Sequence, residues 1–188
     1  MDIQKALLSE HSKEQAAAIA GFAGSDEQHF KELFDLFLHG DKRTVQRAAW
    51  VLSMYADAHP EKMPPYVHRM LEYCCQGAVD GTVKRNVVRI LQFVAIPADC
   101  EEMALELCFS WLEDPKEAIA VRCFSMTVLE HLCNRYPELK ESLAQLIRHA
   151  LDHEVCSAAF RNRAQKTLQA LKGRKKAAGA ASLKKSVD

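Results

Sequence analysis

With 188 residues, 48% of them hydrophobic, the chain is long enough to bury the core of one ordinary domain and is expected to be folded and soluble. Only seven glycines and six prolines occur, extended β-branched alternation is absent, and Ala, Leu, Glu, Lys and Gln are plentiful, which favours helix nearly throughout. Its 25 basic and 25 acidic residues cancel, no apolar run approaches the roughly 20 residues of a membrane-spanning helix, and the opening MDIQKALLSEHSKEQ is too polar for a secretory signal; no membrane role and a cytoplasmic location are expected.

In chain order, residues 1 to 22 predict two short helices, Asp2 to Ser9 and Ser12 to Phe22, the second capped by Ser12 and ended by Gly21 and Gly24. From Asp26 an i, i+3, i+4, i+7 stripe of Phe30, Leu33, Phe34, Phe37 and Leu38 predicts a helix stopping at Gly40. Asp41 opens the next, with Val45, Ala48, Ala49, Leu52 and Tyr55 on one face and Pro60 as its stop. The pair then recurs. Tyr66, Val67, Met70, Leu71 and Cys74 precede Val83, Val87, Ile90 and Val94; Leu105, Cys108, Phe109 and Leu112 precede Cys123, Phe124, Thr127, Val128 and Leu132. A fourth pair has Leu143, Leu146, Ile147, Ala150 and Leu151, then Phe160, Ala164, Thr167, Leu168 and Leu171. The first helix of each pair is termed outer and the second inner.

Phe34, Leu71, Phe109 and Ile147 are spaced by 37, 38 and 38 residues, and Arg47, Arg85 and Arg122 by 38 and 37. Two helices per unit at such a period mark an α-solenoid, in which stacked neighbours share one core. The inner helices carry Val45 and Arg47, Val83 and Arg85, Val121 and Arg122, each preceded by a turn acid, Asp41, Asp80 or Asp114. This pattern resembles the D-x-x-V-R consensus of HEAT repeats over about residues 26 to 171. The resemblance implies an all-α, right-handed α-α superhelix of about four helix pairs with a short N-terminal cap, one domain over 1–171. It further implies that Arg47, Arg85 and Arg122 bond the turn acids Asp41, Asp80 and Asp114 as a structural ladder, and that the inner helices line a concave face. Residues 172–188 carry six bases against one acid and no apolar stripe, which predicts a disordered basic tail.

Charge is segregated beneath the zero total. With turn acids set aside, residues 41–59, 81–97, 115–136 and 153–171 carry +2, +3, +1 and +2, whereas the outer helices are acidic, the third most of all with Asp99, Glu101, Glu102, Glu106 and Glu113. Lys42, Arg43, Lys84, Arg89, Arg161 and Lys166 are therefore the expected partner-binding bases of the concave face, facing a protein or acidic peptide.

Reactive constellations are sparse. The seven cysteines are odd in number and include no CxxC pair, which excludes a disulfide framework and suits a reducing compartment. His149, His153 and Cys156 follow i, i+4, i+7 spacing, but Asp152 predicts a helix end that scatters them, so no metal site and no cofactor are expected. Helical-repeat DNA alkylation-repair glycosylases use a similar architecture, and Trp50 and Trp111 with Asp57 and Asp114 are loosely their parts; core packing is the first reading of both tryptophans. The expectation is a non-catalytic protein-interaction scaffold, a monomer or weak homodimer, with nucleic-acid binding of the glycosylase type as the alternative.

Overall fold

The computed structural model describes residues 1–173; residues 174–188, most of the expected basic tail, lie outside the described residues. Among the described residues there are ten α-helices and no strand. They are α1 (Ile3–Ser9), α2 (Lys13–Gly24), α3 (Glu27–His39), α4 (Lys42–Ala58), α5 (Pro64–Cys75), α6 (Gly81–Leu91), α7 (Glu101–Glu113), α8 (Ile119–Leu132), α9 (Leu139–His153) and α10 (Ala158–Gly173). The all-α class and the succession of outer and inner helices are as expected. None of these helices is long and apolar enough to cross a membrane.

The caps explain most boundaries. Asp2, Ser12, Asp26, Asp41 and Asp80 each accept a backbone N–H of the following turn, the donors being Lys5, Gln15, Gln28, Arg43 with Thr44, and Thr82. Such acceptors satisfy amides that a helix start leaves orphaned, and the four aspartates also place a negative charge at its positive end. Pro60 ends α4 and starts a 3-10 turn, Pro60–Lys62, and α5 begins on Pro64 as a proline-initiated helix.

Three boundaries differ from the sequence reading. Helix α2 passes through Gly21 and ends on Gly24, because Gly21 faces open space and nothing forces the chain to turn there. Helix α6 stops at Leu91, short of Val94 at the end of its stripe: Gln92 and Phe93 donate to Arg89 and Ile90 carbonyls, tightening the last turn so that Val94 still tucks into the core. Helix α8 begins at Ile119, since Asp114 spends its carboxylate on the Lys116 amide at 2.8 Å and leaves α8 without a side-chain cap. The buried face of α8 is also rotated, to Val121, Arg122, Ser125, Met126, Val128, Leu129 and Leu132, leaving Cys123 and Phe124 half-buried. This helix is apolar nearly all round, so periodicity alone does not fix its phase.

The chain divides into two compact units, Met1–Leu107 and Cys108 onward. In the first, α4 is the hub, packed on α1, α2, α3 and α6. Its Ala48, Leu52 and Ala56 are fully buried, and a buried leucine contributes about 1.5–3 kcal/mol. An aromatic seam runs from Tyr55 through Phe30 and Phe34 to Phe37, joined by Tyr66 and Tyr73 of α5, with centroid spacings between 4.7 and 6.5 Å. In the second unit α10 packs on α8 and α9, burying Phe160 and Ala164 with Met126, Leu129, Leu143 and Ile147.

Candidate binding groove

The arginines at the repeated position have three different fates. Arg47 of α4 turns to the end of α1, donating from one terminal nitrogen to the carbonyl oxygens of Leu7 and Glu10. A guanidinium there satisfies last-turn carbonyls and meets the negative end of the helix dipole, which fastens α1 to α4. Arg85 of α6 is exposed and makes no ion pair among the described residues. Arg122 of α8 is buried. It donates from Nε to the Leu112 carbonyl at 3.0 Å, grips Glu154 bidentately at 2.6 and 3.0 Å, and lies 4.5 Å over the Phe160 ring.

The ladder drawn between Arg47, Arg85, Arg122 and Asp41, Asp80, Asp114 is therefore corrected: none of these arginines bonds any of these aspartates among the described residues. The aspartates are used up locally. Asp41 accepts from the Thr44 amide and hydroxyl and from the Arg43 amide, which hold its carboxyl below the usual range. Asp80 is also held low, first by a hydrogen bond from the Gln46 side chain, then by Thr82 and by Lys42, whose Nζ is 3.5 Å away. Helices α4 and α6 are thus joined by Gln46 and Lys42 at one end, and at the other by an ion pair from Arg89 to Asp57.

Between these two links lies a groove of about 490 Å³ lined by His11, Arg43, Gln46, Arg47, Trp50, Thr82, Arg85 and Asn86. On α4 and α6 these positions border the buried stripes, with Asn86 alone among them buried. No lining residue is acidic. Arg43 and Arg85 form no ion pair among the described residues, and Arg47 adds a third guanidinium to the wall. His11 stands edge-on to the half-buried Trp50, ring centroids 4.9 Å apart. Asn86 is 2% exposed and donates to the Thr82 carbonyl at 2.9 Å, so it shapes the floor. Three guanidinium groups beside an indole, with no carboxylate among them, make a site for an anionic group carried on an apolar or planar body.

Of the six bases expected to bind a partner, Arg43 alone lines this groove. Lys42 and Arg89 are instead paired with Asp80 and Asp57. Lys84 is half-buried and outside the groove. Arg161, donating from Nε to the Cys156 carbonyl at 3.2 Å, and the exposed Lys166 belong to the second unit. His11, Gln46, Thr82 and Asn86 escaped the sequence reading, and Trp50, read first as core, is half-buried at the groove wall. The signal available was the repeat itself: Arg47 and Arg85, 38 residues apart, share one position, and Arg43, Arg47 and Trp50 follow helical spacing.

Elsewhere the chemistry is quiet. The rings of His149 and His153 are 4.5 Å apart, but Cys156 lies beyond the end of α9 with its Sγ on the Ala150 carbonyl. Among the described residues no group of three His, Cys, Asp or Glu is placed to hold a metal ion. Burial pushes the Cys108 thiol up to about 12 and the Cys133 thiol up to about 11, so neither supplies a thiolate near neutral pH. Trp111 is 6% exposed, a core residue of the second unit.

Neither the curated proteins nor the solved structures contain a match. The family model described as HEAT repeat domain matches residues 3–171, nearly the whole of the described chain, and the protein belongs to the HEAT repeat family.

Proposed function

We propose that this protein is a non-catalytic interaction module whose first unit grips an acidic segment of a partner protein in the groove between α4 and α6. HEAT repeats are helical scaffolds that often serve protein interactions, and their domains are generally non-catalytic. The observation that carries the finer reading is the trio Arg43, Arg47 and Arg85 around Trp50 with no acid among the lining residues. The arginines steer and fix carboxylates of the partner, and Trp50 with His11 packs on the apolar body of the same segment. No cofactor and no metal enter the scheme. The module works in the cytoplasm as a monomer or weak homodimer.

Nucleic acid is the alternative ligand for such a groove, since phosphates suit arginines and bases stack on indole. The acidic segment is preferred because the groove offers only three arginines, whereas duplex binders neutralise many phosphates. Asp57, the acid a glycosylase reading needs beside Trp50, is neutralised by Arg89. The test is capture of partners from the native lysate by the wild-type chain and by the double variant Arg43→Glu, Arg85→Glu, followed by titration with duplex DNA across a salt series. The proposal expects a partner lost in the variant and no salt-dependent DNA affinity. Equal capture by both chains refutes it, and steep salt-dependent duplex binding replaces it with the alternative.

A further inference from the structure

A second cavity of the first unit, of about 480 Å³, shares no residue with the arginine groove and has the opposite chemistry. It opens where the end of α2, the start of α3, the body of α4 and the start of α5 meet. Its walls are the rings of Phe30, Tyr55 and Tyr66. Phe30 lies 4.7 Å from both tyrosine rings, at interplanar angles of 43° and 62°, so the three rings form inclined walls rather than a parallel stack. Gly24 makes this arrangement possible, because a Cβ there would sit 2.7 Å from Cε2 of Tyr55.

Two further features point to what the cavity accepts. Tyr55 is only 5% exposed, yet its hydroxyl has no hydrogen-bond partner among the described residues while its side chain lines the cavity. That hydroxyl is not sealed among the buried unpartnered atoms, so it opens on the cavity, where a ligand N–H can take the place of water on it. Three carboxylates, Asp26, Glu27 and Glu61, stand against one base, Lys62, at the mouth. Lys31 already holds Glu27 at 2.8 Å, Asp26 spends Oδ1 on the Gln28 amide, and His59 is 3.8 Å from Oε1 of Glu61, which leaves Oδ2 of Asp26 and Oε2 of Glu61 to meet an incoming cation.

We infer that this cavity binds the guanidinium of an arginine presented by a partner peptide. Aromatic faces attract cations, and a planar guanidinium stacks on them while its edge donates to carboxylates and to the Tyr55 hydroxyl. Quaternary ammonium has no N–H to donate to that hydroxyl or to the carboxylates, and a lysine ammonium has no flat face to lay on a ring. Burial, aided by the Glu27 charge, raises the Tyr66 phenol above its ordinary value, so the wall carries no charge of its own near neutrality.

The experiment titrates the full ¹⁵N-labelled chain with acetyl-Gly-Arg-Gly amide and with peptides bearing lysine, trimethyllysine or norleucine in place of arginine, up to about 10 mM, the range in which single side-chain contacts are read. The arginine peptide should shift amides of residues 23–30 and 55–66 saturably and bind at least about fivefold more tightly than any of the other three. The double variant Asp26→Asn, Glu61→Gln keeps an N-cap at position 26 and should weaken arginine binding about three- to tenfold, with the rest of its spectrum unchanged. No saturable shift, shifts confined to the arginine groove, equal or tighter binding of another peptide, or unchanged affinity in the double variant overturns the inference.

Discussion

Replacing Glu154 by glutamine should destabilise the second unit, and the geometry around Arg122 sets the amount. Arg122 is 5% exposed and its charge is met by Glu154 through two hydrogen bonds of 2.6 and 3.0 Å. Breaking a buried pair costs about 3–5 kcal/mol when the surviving charge is wholly dry. Here the Glu154 side chain is 21% exposed, glutamine keeps one acceptor oxygen, and Phe160 and the Leu112 carbonyl still face the guanidinium, so the expected cost of Glu154→Gln falls to about 1.5–3 kcal/mol. Arg122→Met removes the charge with its donors, and the double variant should recover about 1–2 kcal/mol relative to the sum of the single ones. Urea unfolding followed by tryptophan fluorescence in a Trp50→Phe background reports on Trp111, buried in the same unit. A Glu154→Gln change within about 0.5 kcal/mol of wild type, or a coupling below that size, refutes the claim that this pair holds the unit together.

Other consequences are simpler to read. A Cβ on Gly40 would lie 2.5 Å from the Leu36 carbonyl oxygen and 2.8 Å from Thr44, whereas one on Gly21 meets nothing; Gly40→Ala should cost about 1–3 kcal/mol and Gly21→Ala, inside α2, should gain about 0.5–1 kcal/mol, both checked by thermal unfolding. Asp80 has a folded-state carboxyl held below the ordinary 3.8, so the stability it adds is present above that value and is lost as pH falls through the folded one. Asp80→Asn keeps the cap without the charge, and its deficit against wild type, measured by urea unfolding, should shrink between about pH 7 and about pH 2. Cys108 and Cys133, with thiols near 12 and 11, should resist iodoacetamide in the folded chain while exposed Cys75 is alkylated; mass spectrometry after a short pulse, with and without urea, locates the label.

The repeat was legible because most stripes follow one period and most helices of the first unit carry their own stop or cap. Phe30, Phe34 and Phe37 on α3 and Val45, Ala48 and Leu52 on α4 are buried as their spacing requires, and Asp41 and Asp80 cap the helices they precede. The polar network was not legible, for a physical reason. An arginine on a helix reaches far enough to choose among several acceptors, and the choice depends on which backbone or carboxylate the fold brings near. Arg47 found carbonyls 40 and 37 residues upstream, and Arg122 found Glu154, 32 residues downstream, instead of a turn aspartate. Trp50 illustrates the same limit. Its helical position places it beside the stripe, where burial and exposure read alike, and only the packing of His11 against it shows that it borders a groove.

The central claim, that the groove between α4 and α6 receives an acidic segment, is tested most directly by photo-crosslinking. A benzophenone amino acid at exposed Thr82, inside the groove, is compared with one at exposed Glu72 on α5, outside it, in the full chain and in the native lysate. The account predicts a covalent adduct from position 82 whose partner peptide is rich in Asp and Glu, lost when Arg43 and Arg85 are changed to glutamate. An adduct from position 72 alone, or one from position 82 that survives the charge reversal, contradicts it.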